Sequence, residues 1–253
     1  MTPVIRPGAR FPQDASIGHT TMRPIDPLAG SPWSSPETVS GFVASPPNAV
    51  LLGVATAEFA RRGGGRLLDI GCGAARNAAP LARIGWRVLG TDLSWPMLRA
   101  AAGRIAPAGE AIRLRLALAP MDQLPVATGS IDFVVAHGIW NLAPSSVTFR
   151  HAVAEAARVA APGAALFVFT FSRHTLPPEA EPVPGERFVF TQFSGHAQCF
   201  LTEDELIAEL ETAGCDLEPG SSLAEYNRPA PGALARRTGP VIYEGLFRRR
   251  KEV

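Results

Sequence analysis

Residues 66–79, reading RLLDIGCGAARNAA, narrow the folds open to this chain more than any other stretch. They open as a short apolar run, Leu67, Leu68 and Ile70, interrupted by one carboxylate, Asp69. The run breaks at Gly71-Cys72-Gly73 and resumes as an alanine-rich helical segment. A strand that enters a tight glycine turn and leaves as a helix is the opening βα unit of a doubly wound sheet. Glycines there bend the backbone sharply and let a ligand approach the main chain. The helix that follows turns its free N–H groups and positive dipole end towards that ligand.

About twenty residues on, Trp86-Arg87-Val88-Leu89-Gly90-Thr91-Asp92 reads as a second strand ending in an acid. Such a carboxylate lies beside the glycine turn and accepts hydrogen bonds from both hydroxyls of a ribose. Turn and acid together specify a nucleoside cofactor. Asp69 discriminates among them. Nicotinamide and flavin domains usually carry an apolar residue at that place, because their turn faces a pyrophosphate and a second negative charge is repelled. A carboxylate suits a ligand that carries an ammonium and a sulfonium. An NAD(P)-dependent oxidoreductase uses the same turn and acid, but Asp69 and the unsuitable Ala75 speak against it.

The pattern D-I-G-C-G followed by G-T-D resembles motifs I and II of the class I S-adenosylmethionine (SAM) methyltransferases. The resemblance runs from about residue 49 to the end and is strongest over residues 66–141. It implies an α/β fold: a Rossmann-like, seven-stranded, mostly parallel sheet with an antiparallel last strand, helices on both faces and small cap or lid segments. It implies SAM as cofactor, S-adenosylhomocysteine as product and no metal. The cofactor residues it implies are Asp69, Gly71, Cys72, Gly73, Asp92, Leu93, Met97, Met121, Asp122 and His137. Two positions depart from the pattern. The third glycine falls at Ala75, and the acid that often precedes the adenine-contacting residue falls at Pro120. Asp122 lies two residues on, and the Met121 backbone can serve the ring edge.

Composition excludes several classes. With 253 residues, 46% hydrophobic and 19% charged, the chain is sized for one well-buried α/β domain. A net charge of +1 gives no footprint for a nucleic-acid backbone, and the only basic run, Arg248-Arg249-Arg250-Lys251, reads as a solvated chain end. Three scattered cysteines argue against a disulfide scaffold or a zinc site. Neither a secretion signal nor a membrane span is apparent, so a cytoplasmic monomer or homodimer is expected.

Along the chain, residues 1–48 are rich in Pro, Gly, Ser and Thr. The expectation is a disordered first portion, although Phe11, Trp33 and Phe42 are apolar for a tail, then an irregular lid over residues 24–48. The resemblance implies a methyltransferase domain over residues 49–253. Helices are expected over residues 49–62, capped by Asn48, and over 76–84, 94–104, 146–159 and 201–213, the last with a Thr202/Glu205 capping box. Strands are expected over residues 113–118, 131–136 and 164–171, with a final one over 241–248. Residues 172–200 are too long for a simple connection. Carrying His174, Phe188, Phe190, Phe193, His196 and Phe200, they read either as a substrate-facing cap or as a structural hairpin.

Methyl transfer from a sulfonium is an in-line displacement in which alignment of donor and acceptor supplies on the order of 7–11 kcal/mol. It needs no catalytic diad, and none is found. G-x-S-x-G, H-E-x-x-H and C-x-x-C are absent, against hydrolase, zinc-protease and thiol-redox chemistry. His137, at the carboxyl end of a central strand, is the candidate base. Trp33, Trp140, Asn141, Arg173 and His174 are the candidate acceptor-contacting residues, with stapling of the next helix the other reading of Trp140, and Arg76 reads as a surface cap. The acceptor is expected to be a small molecule. A non-catalytic SAM-binding regulator remains a second possibility, because no obligatory catalytic residue exists to identify an enzyme.

Overall fold

The apolar runs of the sequence pair into one twisted sheet whose two faces are closed by different helices. The computed structural model describes residues 26–106, 113–228 and 239–251; the first portion of the leader, with Phe11, lies outside them. In chain order, helices α1 (Pro36–Ala44) and α2 (Ala49–Arg62) lead into β1 (Arg66–Ile70), α3 (Ala78–Ile84), β2 (Arg87–Asp92), α4 (Trp95–Ile105), β3 (Leu114–Leu118) and β4 (Ile131–His137). Then come α5 (Ser146–Val159), β5 (Ala160–Phe171), β6 (Val189–Phe190), β7 (Gln198–Cys199), α6 (Glu203–Thr212), β8 (Cys215–Leu217), β9 (Ala224–Tyr226) and β10 (Ile242–Arg249).

The main sheet runs β3-β2-β1-β4-β5-β10-β8, with β9 also pairing β10. β1 to β5 are parallel, and β10 lies antiparallel between β5 and β8. This is the expected seven-strand path with an antiparallel final strand, extended by β9 along the same edge. Strand order reverses between β1 and β4, and in open α/β sheets ligands bind outside the carboxyl ends at such a switch point.

Each face has its own core. Leu67, Val88, Phe133 and Phe167 meet Leu51 and Ala55 of α2, Leu81 of α3 and Leu98 of α4. Leu68, Val134 and Leu166, one residue out of phase, meet Phe149 and Val153 of α5 and Leu206 and Leu210 of α6. Local capping fixes the helix starts. The Asn48 side chain accepts from the Leu51 N–H, Ser94 from Met97, and Thr202 and Glu205 form the full capping box.

Several expectations are corrected. The stretch expected to be an irregular lid contains a 3-10 turn (Pro32–Ser34) and the nine-residue α1, because Pro36 occupies the first helical turn and Ser35 caps it. Helix α3 begins at Ala78, two residues later than expected. Pro162-Gly163 does not interrupt β5: a register shift near Ile131 and a positive φ of 76° at Gly163 absorb the irregularity. The basic run is only partly a solvated end: Arg248, within β10, pairs with Glu58 and Glu218, while Arg250 and Lys251 are exposed and Arg250 pairs with Asp216 at the surface. No single helix among the described residues is long and apolar enough to cross a membrane.

Trp86 fastens α2 to the sheet. Its ring is fully buried, meets Phe59 and Phe133 edge to face at 5.4 and 5.6 Å, and its Nε1–H donates to the Ala55 carbonyl at 3.1 Å. Trp86→Ala should cost about 3–5 kcal/mol and lower the thermal midpoint by on the order of 10 °C in scanning calorimetry. A change under about 2 °C would show that α2 is held elsewhere.

Candidate functional site

The glycine turn stands at the switch point. Gly71 and Gly73 adopt φ of 69° and 52°, the left-handed region that glycine enters freely. A Cβ on Gly71 would lie 2.7 Å from the Ile139 Cδ1, and one on Gly73 would lie 3.3 Å from the Phe42 ring and 3.9 Å from the Met97 Sδ. Ala75, where the resemblance places a third glycine, is itself left-handed at φ 56° and fully buried. Cys72 donates its N–H to the Thr91 carbonyl at 2.8 Å and fills the space beside Gly90, whose added Cβ would meet the Cys72 Sγ at 2.8 Å. Burial holds that thiol well above its usual value.

Asp92 closes the turn from the next strand. Its two oxygens accept from the Gly73 and Ser94 N–H groups, each at 2.8 Å. Burial raises its pKa, opposed by the Ser94, Gly73 and Leu93 N–H groups. A carboxylate has about four acceptor directions, so capacity remains for a ribose hydroxyl.

Asp69 is 2% exposed, and its Oδ2 has no hydrogen-bond partner. Burial pushes its carboxyl up to about 7; Arg76 opposes the shift and Asp92 adds to it. Arg76 is therefore not the surface cap expected of it. It lies half-buried against His137, with its Nη2 3.3 Å from Nδ1. The His137 ring stacks on Phe169 at 4.0 Å, and its Nε2 lies 3.2 Å from the Asn48 Nδ2, which also donates to Glu244 at 2.6 Å. Burial, assisted by Arg76, pushes His137 down to about 4, so the imidazole is neutral.

Seven buried polar side-chain atoms among the described residues lack a partner, and five belong to Asp69, Thr91, Trp140, Asn141 and Thr170. All five residues stand at the carboxyl ends of β1, β2 and β5 or just after β4. Buried polar groups are normally satisfied, so this concentration marks a rim built to meet a polar ligand. A buried acceptor in front of a Cβ-free turn fits the cationic amino-acid end of SAM, and Asp92 fits its ribose.

Residues 68–168 match the family described as a methyltransferase domain. The sheet around that segment has the Rossmann-like fold of the class I methyltransferases. Solved structures agree in fold. A SAM-dependent methyltransferase from Methanosarcina mazei is 19% identical, with a TM-score of 0.57 over 74% of this chain and 93% of that one. The Burkholderia thailandensis 1,6-didemethyltoxoflavin-N1-methyltransferase, with bound 1,6-didemethyltoxoflavin and S-adenosylhomocysteine, is 20% identical, with a TM-score of 0.58 over 79% and 78%. The cyclase SpnF is also 20% identical, with a TM-score of 0.60 over 80% and 82%. No curated protein shows a sequence match.

Within the matched segment, Leu93 and Met97 lie at the start of α4 beside Asp92, with Met97 buried. Half-buried Met121 and Asp122 form a turn after β3, whose last residue, Leu118, pairs with Asp92. Trp33 stands on the side of the glycine turn: its carbonyl accepts from the Ser94 Oγ at 3.2 Å and its ring meets Phe42 edge to face.

The other acceptor candidates are placed differently from the expectation. Trp140 is 1% exposed and packs against Phe149, so it staples α5 and faces the core. Asn141 is equally buried, with Oδ1 unpartnered. Arg173 is spent on structure: its guanidinium donates to the carbonyls of Leu176, Pro177, Pro178 and Ala180 and lies over the Phe190 ring. His174 pairs with Glu225 at 2.6 Å. Residues 172–200 hold the small β6–β7 hairpin, whose Phe188, Val189 and Cys199 enter the main core. Phe193 stays 43% exposed against Phe171 and Phe200. The contacts of Asn48 with His137 and with Glu244 are not legible in the sequence, because they join residues 89 and 196 positions apart.

The Asp69 carboxyl makes stability pH-dependent. Its folded value, about 7, lies above the ordinary 3.8, so the folded state holds the proton more tightly and loses stability as pH rises between those values. Asp69→Asn should raise the thermal midpoint of the ligand-free protein at pH 8 by on the order of 5 °C, a gain that shrinks towards pH 4. A pH-independent gain in scanning calorimetry would contradict the burial account.

Proposed function

We propose that the chain transfers a methyl group from SAM to an oxygen, nitrogen or sulfur atom of a small molecule. The buried, unpartnered Asp69 Oδ2 in front of the glycine turn carries this reading. When bound, SAM supplies an electrophilic methyl on its sulfonium. Asp69 accepts from the amino-acid end, the Gly71–Gly73 backbone admits it closely, and Asp92 orients the ribose. The α1 strap excludes water over the turn through Phe42 and is tied down where Ser34 and the Trp33 carbonyl meet Ser94. Phe193 and the aromatic rings beside it offer the acceptor an apolar wall. Three free, buried cysteines suit a reducing cytoplasm.

Catalysis is assigned to alignment. His137 is neutral, but both its nitrogens face donors, Arg76 and Asn48, and a value near 4 gives little driving force for removing a proton. It positions Arg76 and the pocket wall. His137→Ala should lower turnover less than the roughly hundredfold of a lost general base, with SAM affinity nearly intact. A larger loss, read as S-adenosylhomocysteine release under a panel of hydroxyl, amine and thiol acceptors, would restore the base role.

The donor assignment is tested by calorimetric titration with SAM beside NAD(P)H. SAM should bind and the dinucleotide should not, and Asp92→Ala should weaken SAM about tenfold or more, equivalent to about 1.4 kcal/mol. Unchanged affinity in the variant would remove Asp92 from the site. The same fold in the cyclase SpnF favours one second reading, a SAM-binding protein that transfers no methyl group. Binding of SAM with no product from any acceptor would support it.

A further inference from the structure

A large cavity lies at the opposite edge of the sheet from the glycine turn. It measures about 750 Å³ and is lined by Arg66, Arg87, Arg113 and Arg115 together with Leu89 and Val126. Its origin is topological. Crossovers in a doubly wound sheet normally lay a helix over a face, but residues 119–130, between β3 and β4, form only turns. The sheet face that continues from buried Leu68 through Leu89 to Arg115 is left open there.

Parallel register then gathers the charges. Arg66 pairs with Arg87, and Val88 with Leu114, which sets Arg113 beside Arg87; Arg115 follows two residues on, on the same face. All four are exposed, and among the described residues none of the four guanidinium groups makes an ion pair or hydrogen bond. The two nearby carboxylates are taken, Asp132 by Arg62 and the Arg66 N–H, and Glu155 by Arg158 and the Leu124 N–H. Like charges on neighbouring strands repel, so the row is destabilising until an anion enters. The net charge of +1 conceals it.

We propose that this groove binds a small organic polyphosphate, of the nucleoside di- or triphosphate class. Planar guanidinium forks match phosphate oxygens in pairs. Leu89, Pro125 and Val126 supply an apolar floor for a ring. The volume lies within the roughly 300–1,000 Å³ of small-molecule sites, which favours a metabolite over a nucleic acid. The site is separate from the donor rim and does not rest on the assignment of SAM.

The test is calorimetric titration of the full chain at low salt with inorganic triphosphate and with ATP. Both should bind saturably, ATP more tightly through the floor. Arg87→Gln and Arg113→Gln should each weaken both ligands by about tenfold. Arg150→Gln, which breaks a distant exposed pair with Glu209, should leave them unchanged. Unaltered thermal midpoints of the Arg87 and Arg113 variants in scanning calorimetry report an intact fold, whether or not the donor site takes SAM. No saturable binding of either anion would overturn the proposal. So would undiminished binding in both groove variants, or uptake of an oligonucleotide with none of triphosphate.

Discussion

Asp69 is buried among apolar strand neighbours with one oxygen facing no donor, and that unfavourable placement constrains everything near it. A buried carboxylate normally takes up a proton or finds a cation. Here Arg76 supplies only partial relief, leaving the group near neutrality in its titration. The cost is retained at one place, the point where strand order reverses. Gly71 cannot gain a Cβ without striking Ile139, so the space before the carboxylate is kept by the residue after β4 as well as by the turn.

The same turn carries a second strained position. Ala75 holds a left-handed backbone that costs a non-glycine residue about 1–2 kcal/mol. Its carbonyl accepts the Ala79 N–H, so the strained residue also starts α3. An alanine there fills the interior that a glycine would leave thinner, and with Phe42 resting on Gly73 it seals the turn from both sides. Strain, burial and the α1 strap thus converge on one short segment.

How much of this is legible in the sequence follows from the range of each interaction. Helices α2 and α5 and strand β4 are set by apolar period and by caps within three residues, and they fall where period and caps place them. Asp69, Gly71, Gly73 and Asp92 are legible because two successive βα units bring them together. Helix α1 escapes notice because its proline and serines, which read as breakers, are its first turn and its cap. The surroundings of Trp140, Arg173 and Arg76 are not legible for another reason. Each has a rim position in the chain, but its partners are a core ring, a row of carbonyls and a buried acid that no local pattern announces. The short β8 and β9 are visible only as the complement of the β10 edge.

Parallel pairing explains why the two edges of one sheet differ so sharply. β1 begins with Arg66 and carries Asp69 near its end; β2 begins with Arg87 and ends in Asp92. In a parallel register such strands stack like with like, so the arginines form a row at one edge while the acids gather at the other. An antiparallel pairing would have set each arginine opposite an acid and cancelled both. The chain's near-zero net charge is therefore a sum over two opposed fields. The acidic rim suits a ligand with a cationic end, and the arginine edge repels that ligand while attracting an anion of the opposite kind.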